Sequence, residues 1–247
     1  MAVISLLRSS KILNMQTNVS VILPDEIKFQ QKIPTIWLFH GLGDNGTGWK
    51  RKTNLEQIVS KYEVAVVMPN MGRSFYTNSI YGNNYWDYLV KELIPQMREY
   101  FPLSCKPEFN YLIGNSMGGY GALKLAFKYP DWFSKVAFLS PVTDLSVVPS
   151  IMPDYQSVFG KDGISDRKND LRYMSQNADA SSLERIQWYQ ATGNKDFMRK
   201  QSDSFNEFLT TKIHLNITYS IEEGKHDWDY WNSEIEKVFL WLSLKRK

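Results

Sequence analysis

A chain of 247 residues that is 43% hydrophobic and 22% charged is long enough to bury a sizeable core and too apolar for a disordered segment. Its net charge of +3 is scattered except at Lys245-Arg246-Lys247, so no basic stripe of the kind that grips nucleic acid is present. No run approaches the ~20 apolar residues that cross a bilayer, and a small-molecule partner without a membrane span is expected.

The start, Met1-Ala2-Val3-Ile4-Ser5-Leu6-Leu7-Arg8, has neither the basic opening nor the small-residue cleavage site of a secretory signal. The single cysteine, Cys105, excludes an intramolecular disulfide and suits a reducing compartment; a cytoplasmic location is expected. Over 18–23, Val19, Val21 and Leu23 alternate with polar residues, with Ile22 the exception, which predicts a strand near a sheet edge. The apolar run 35–39 predicts a strand buried on both faces, and 64–68 another short strand. After Asn84, the spacing of Trp86, Leu89, Leu93 and Met97 predicts a helix that Pro95 should kink or restart. A strand at 111–113 is followed by a glycine-rich helix over 118–129, and a further strand is expected at 136–139. Residues 141–183 break this rhythm and are expected to form a cap-like insertion over the carboxyl ends of the strands. Strands at 186–190 and 213–221 follow, the latter with one wet face, and Trp231, Ile235, Val238 and Leu242 mark a last helix. No repeat or linker divides the sequence, so one α/β domain over 1–247 is expected, with a mostly parallel, doubly wound sheet and helices on both faces.

Gly114-Asn115-Ser116-Met117-Gly118 satisfies G-x-S-x-G, and it stands between a predicted strand and a predicted helix. A sharp strand-to-helix turn of this kind projects the serine hydroxyl above the sheet, and its glycines let strand and helix approach. A serine hydroxyl needs a base to become nucleophilic, and the chain has three histidines. His40, following the strand at 35–39, reads as a loop-fixing residue, and His214 as a surface residue of the strand 213–221. His226 follows the last strand and precedes the last helix, where the base of an α/β-hydrolase lies. The acid that orients it should fall between nucleophile and base. Asp196, in Gly193-Asn194-Lys195-Asp196, fits best; Asp144, one strand earlier, is the rival, and Asp227 is better placed to cap the last helix.

The oxyanion formed during ester attack needs preorganised donors. These are expected to be the backbone N–H of Met117 and, from the loop His40-Gly41-Leu42-Gly43-Asp44, that of Leu42. Asp44 reads as a helix cap or a contact to polar substrate. Trp49, Phe75, Tyr76, Tyr81, Tyr85 and Trp86 are candidates for lining a pocket, although packing explains most of them. Cys105 reads as a packing residue or an idle thiol. His226-Asp227-Trp228-Asp229 lacks a second ligand cluster, so no metal is expected.

Taken together, these residues resemble the esterase D group of α/β-hydrolases, and within it the small tributyrin-esterase-like members rather than the longer S-formylglutathione hydrolases. The resemblance is carried by Val21-Ile22-Leu23-Pro24, His40-Gly41-Leu42, Val66-Val67-Met68-Pro69, Arg73-Ser74-Phe75-Tyr76-Thr77, Ser116-Met117-Gly118-Gly119-Tyr120-Gly121, Gly193 with Asp196-Phe197, and Gly224 with His226-Asp227-Trp228. It implies an α/β-hydrolase fold and a serine carboxylesterase with Ser116, Asp196 and His226 as nucleophile, acid and base, and Leu42 and Met117 as oxyanion donors. It also implies short-chain acyl esters as substrates, acetylated sugars among them, no cofactor, and a homo-oligomer. Asn115 departs from the leucine common in the group. Alternatives are a thioesterase of the S-formylglutathione type, an acyltransferase to a sugar or lipid acceptor, and a non-catalytic hydrolase-like binding protein.

Overall fold

In the computed structural model, which describes residues 1–28 and 30–247, the strands are β1 (Ala2–Ser10), β2 (Met15–Leu23), β3 (Thr35–Phe39), β4 (Ala65–Pro69), β5 (Asn110–Asn115), β6 (Lys135–Leu139), β7 (Gln187–Gly193) and β8 (Ile217–Glu222). They form a single sheet in the order β1-β2-β4-β3-β5-β6-β7-β8. Pairing is parallel from β4 through β8 and antiparallel where β2 meets β1 and β4. The helices are α1 (Gly48–Lys52), α2 (Leu55–Val59), α3 (Tyr85–Asp87), α4 (Ile94–Tyr100), α5 (Met117–Lys128), α6 (Val148–Ile151), α7 (Gln156–Phe159), α8 (Leu171–Gln176), α9 (Ala180–Glu184), α10 (Arg199–Thr211) and α11 (Trp228–Trp241).

Because side chains alternate across a strand, an apolar run such as β3 feeds two cores at once. Trp37 and Phe39 enter the core formed with α4, α5, α8 and α10, while Ile36 and Leu38 enter the one formed with α1, α2 and α11. The sheet is therefore doubly wound, as its sequence pattern requires. The chain leaves β3 toward α1 on one face and leaves β5 toward α5 on the other. Between two neighbouring strands whose connections depart to opposite faces a crevice opens at the carboxyl ends, and ligands bind in such crevices.

The structure adds one strand to those expected and shortens another. Residues 2–10 form an edge strand, β1, whose protein-facing positions are Ile4, Leu6, Arg8 and Ser10. Half of that inward face is polar, because Arg8 pairs with Glu92 at 2.7 Å and Ser10 bonds to the same carboxylate, so the hydropathic alternation that marks a strand is missing. The next strand, β2, is second from that edge, near it as expected. Covered on both faces, it buries Ile22 as deeply as Val19 and Val21. At Pro95 the helix restarts as expected: α4 begins at Ile94 with the proline in its first turn. A π-helical stretch, Tyr88–Leu93, precedes it, and the Ile94 N–H bonds to Leu89 O five residues back. In the first turn of α4 a missing N–H costs no intrahelical bond. Finally, the alternation 213–221 becomes a strand only from Ile217, since His214 is exposed with φ +63° in the turn leaving α10.

Helix α5 carries an unusual core residue. Lys124 is buried, its ammonium bonded to Thr77 Oγ1 at 2.7 Å and placed over the Trp86 ring at 4.7 Å. Burial, reinforced by Lys128 and Lys168, brings its pKa down to about 7. The unfolded chain holds that proton up to about pH 10.4, so between these values it binds more protons than the folded protein. Stability contributed by this site therefore rises from pH 7 to pH 10 and is lowest below pH 7. Lys124→Met should stabilise the protein by about 1–3 kcal/mol at pH 7 and remove this rise, as measured by urea unfolding at a series of pH values.

Candidate active site

The elbow between β5 and α5 is held by close backbone contact. A Cβ on Gly114 would fall 2.1 Å from Gly118 O, and one on Gly118 would fall 2.6 Å from Phe39 O. Only glycine permits β3, β5 and α5 to meet so closely. Between them Ser116 takes φ +53° and ψ −118°, a strained conformation for a residue with a side chain. Its backbone is fixed on three sides: Ser116 N–H donates to Leu139 O at 2.9 Å, and its carbonyl accepts from Tyr120 N–H at 3.1 Å and Val142 N–H at 3.2 Å.

The Ser116 Oγ lies 2.9 Å from His226 Nε2, and His226 Nδ1 lies 3.0 Å from both carboxylate oxygens of Asp196. With Asp196 accepting the Nδ1 proton, Nε2 is left as the acceptor facing the serine hydroxyl. The Asp196 side chain is fully buried, and its Oδ1 also accepts from Met198 N–H at 2.7 Å, so the carboxylate cannot turn away from the ring. Phe197 and Trp231 flank the imidazole at centroid distances of 4.7 and 5.0 Å. The three side chains come from the ends of β5, β7 and β8, brought together because these strands run parallel and end at the same edge.

Asp144 is exposed and accepts from Ser146 N–H at 2.8 Å, while the His226 ring bonds to Asp196 and Ser116. Asp227 caps α11, accepting from Tyr230 N–H at 3.0 Å. His40 is buried and ties two loops together: Nε2 accepts from Met71 N–H at 3.0 Å, and Nδ1–H donates to Gly41 O at 2.8 Å. Burial lowers its pKa, in keeping with a neutral ring. The Leu42 and Met117 N–H groups carry no hydrogen bond among the described residues, and both residues stand beside Ser116 at the same end of the sheet.

These groups surround a cleft of about 380 Å³ lined by Gly41, Leu42, Asn115, Ser116, Phe197 and His226, with Ile151, Trp228 and Trp231 closing it. The aromatic candidates named from sequence do not line it. Trp49, Phe75 and Tyr76 are core residues, Tyr81 is exposed, Tyr85 packs edge-on against Tyr88, and Trp86 packs on Tyr129. Trp228 and Trp231 take that place, and their closeness to His226 in the chain was the available signal. Asp44 borders the cleft but caps no helix, α1 having Thr47 at its N-cap. Its carboxylate pairs instead with Lys52 at 2.7 Å, and that ammonium sits over the Trp228 ring at 5.0 Å. Of the segment 141–183, Ile151 reaches the cleft, while its four short helices, α6 to α9, form the crossover between β6 and β7. Cys105 is an exposed thiol. Among the described residues no group of three or more His, Cys, Asp or Glu side chains is arranged to hold a metal ion, and no helix is long and apolar enough to cross a membrane.

A family model described as "Putative esterase" matches residues 10–242. The chain is 28% identical, over 265 aligned positions covering 98% of both proteins, to an acetyl esterase of Caldicellulosiruptor saccharolyticus. Among solved structures it is similar to FphF, a fluorophosphonate-binding serine hydrolase of Staphylococcus aureus, with a TM-score of 0.90, 29% identity and 98% of each chain covered. It is similar also to the S-formylglutathione hydrolase FrmB of the same organism, with a TM-score of 0.88 at the same identity and coverage. With a family match over nearly its whole length and relatives of equal length, the chain belongs to this esterase family and is a serine esterase of the α/β-hydrolase fold.

Proposed function

We propose that the protein hydrolyses short-chain acyl esters through an acyl-enzyme on Ser116, with His226 as general base and Asp196 orienting it. The observation that carries this reading is the continuous hydrogen-bond chain from Ser116 Oγ through His226 to the buried Asp196 carboxylate, open to the cleft. As Oγ bonds to the ester carbonyl carbon, its proton passes to His226 Nε2. The carbonyl oxygen becomes an oxyanion facing the free N–H groups of Leu42 and Met117. The C–O bond to the alcohol then breaks, and the alcohol leaves with the proton from His226. A water molecule, giving its proton to His226, attacks the acyl-enzyme and releases the acid and Ser116.

Ile151, at the end of α6, and Phe197, after β7, border a small cleft and limit the acyl chain, and the segment 141–183 acts on specificity through Ile151. With p-nitrophenyl esters from acetate to octanoate, kcat/KM should be highest at two to four carbons and fall at least ~10-fold by octanoate, at roughly 1–3 kcal/mol for methylenes that do not fit. A maximum at octanoate sinks the short-chain assignment. The similarity to FrmB supports thioester hydrolysis as a second reading, so S-formylglutathione belongs in the same assay. Hydrolysis of it at ~100 times the acetate rate would make thioesters the substrate class.

A further inference from the structure

One polar group beside the nucleophile has no part in the reaction just described. Asn115 ends β5, borders the cleft, and is wholly buried. Neither its Oδ1 nor its Nδ2 has a hydrogen-bond partner among the described residues. Strand alternation places its side chain on the sheet face of Tyr111 and Ile113, the face covered by Trp49, Tyr230 and Trp231. Its Nδ2 lies against the backbone of the neighbouring loop, 3.3 Å from where a Cβ on Gly41 would stand. The amide is thus wedged between the nucleophile and the loop that carries Leu42.

An amide sealed in such surroundings loses its hydrogen bonds to water and regains none, a substantial penalty for each unpaired atom. The neighbouring positions on this face are apolar, and an aliphatic side chain would be free of that penalty. Resting on the reading of Ser116 as the reaction centre, we infer that Asn115 determines specificity by binding a hydroxyl group carried by the ester. A hydroxyl both donates and accepts, so a single such group satisfies Oδ1 and Nδ2 in turn, whereas an oxyanion would serve Nδ2 alone. Asn115 borders the cleft beside Ser116, so an ester hydroxyl seated there lies next to the amide. Binding exchanges an unpaired amide for a paired one. The enzyme therefore favours esters of polyols, sugars or hydroxy acids over apolar esters of the same size.

Two matched pairs read this preference and separate its two sources: glycerol 1-acetate against n-propyl acetate for a hydroxyl on the alcohol, and ethyl lactate against ethyl propionate for one on the acyl group. In Asn115→Leu the ratio of kcat/KM for hydroxylated over plain ester should fall by about 5–10-fold in one of the pairs, as expected for one lost hydrogen bond. The melting temperature should rise by about 2–6 °C as the orphaned amide is removed. Should Asn115→Leu fail to fold, Asn115→Val is measured in the same way. A ratio unchanged in both pairs overturns the inference, as does a lowered melting temperature in both variants, which would show that the amide has partners inside the protein. Ser116→Ala is assayed alongside. Turnover retained by that variant points to failure of the reaction-centre reading, while an inactive Ser116→Ala with unchanged Asn115→Leu ratios points to failure of this inference alone.

Discussion

Ser116→Ala should lower kcat for p-nitrophenyl acetate by on the order of 10⁴–10⁶ while leaving KM within a few-fold. In the proposed mechanism the hydroxyl is the atom that bonds to carbon, and without it no acyl-enzyme forms. What remains is the modest catalysis that aligned N–H donors give to attack by water. The elbow should survive the change, because it is held by the Ser116 backbone through Leu139, Tyr120 and Val142 and by the glycine contacts around it, none of which uses Oγ. Alanine keeps a Cβ at φ +53° and so neither relieves nor adds backbone strain. Circular dichroism and melting temperature should accordingly match the parent. Labelling by a fluorophosphonate probe should disappear together with turnover. A folded Ser116→Ala protein within tenfold of the parent rate would mean that the nucleophile lies elsewhere.

Asp196→Asn should cost about 10³–10⁴ in kcat, against less than twofold for Asp144→Asn. The reason is the tautomer. Asp196 receives the His226 Nδ1–H with both of its oxygens and is held in place by Met198 N–H. An asparagine there can present its NH₂ to the ring, which then carries its proton on Nε2 and cannot accept from Ser116. Asp144 lies exposed, bonded to Ser146 N–H, and changing it should touch only the start of a 3₁₀ turn. Parallel measurement of the two variants on one substrate decides the matter, and a larger loss at Asp144 would reverse the assignment.

Much of the fold can be read from hydropathy where a strand is buried on both faces, since β3 and β5 then appear as short apolar runs regardless of their neighbours. Legibility fails at the sheet's edges. In β1 the inward face is completed by Arg8 and Ser10, polar residues made acceptable by Glu92, a residue more than 80 positions away. In β8 the alternating pattern runs past the true strand, because strictly local periodicity cannot report where hydrogen bonding to β7 begins. Pro95, by contrast, was legible, because a proline in the first turn of a helix is a local signal and α4 does begin there.

At the site the division is similar. Local chemistry by itself determined the elbow: glycines at 114 and 118 around a serine, between a strand and a helix, have one economical explanation. The order Ser116, Asp196, His226 along the chain pointed to the same edge of a parallel sheet. Only the tertiary structure decided which aspartate faces the imidazole, because three strand ends converge through pairings that no local pattern contains. The walls of the cleft were decided there as well: Ile151, Phe197, Trp228 and Trp231 arrive from three separate connections. So was the state of Asn115. In the sequence it is one polar residue in a motif that tolerates many, and its lack of a partner exists only once β5, the Gly41 loop and the tryptophans of the α11 face have closed around it. Covalent neighbours set what a segment can form, whereas the partners of a buried polar atom are set by whatever the fold brings against it.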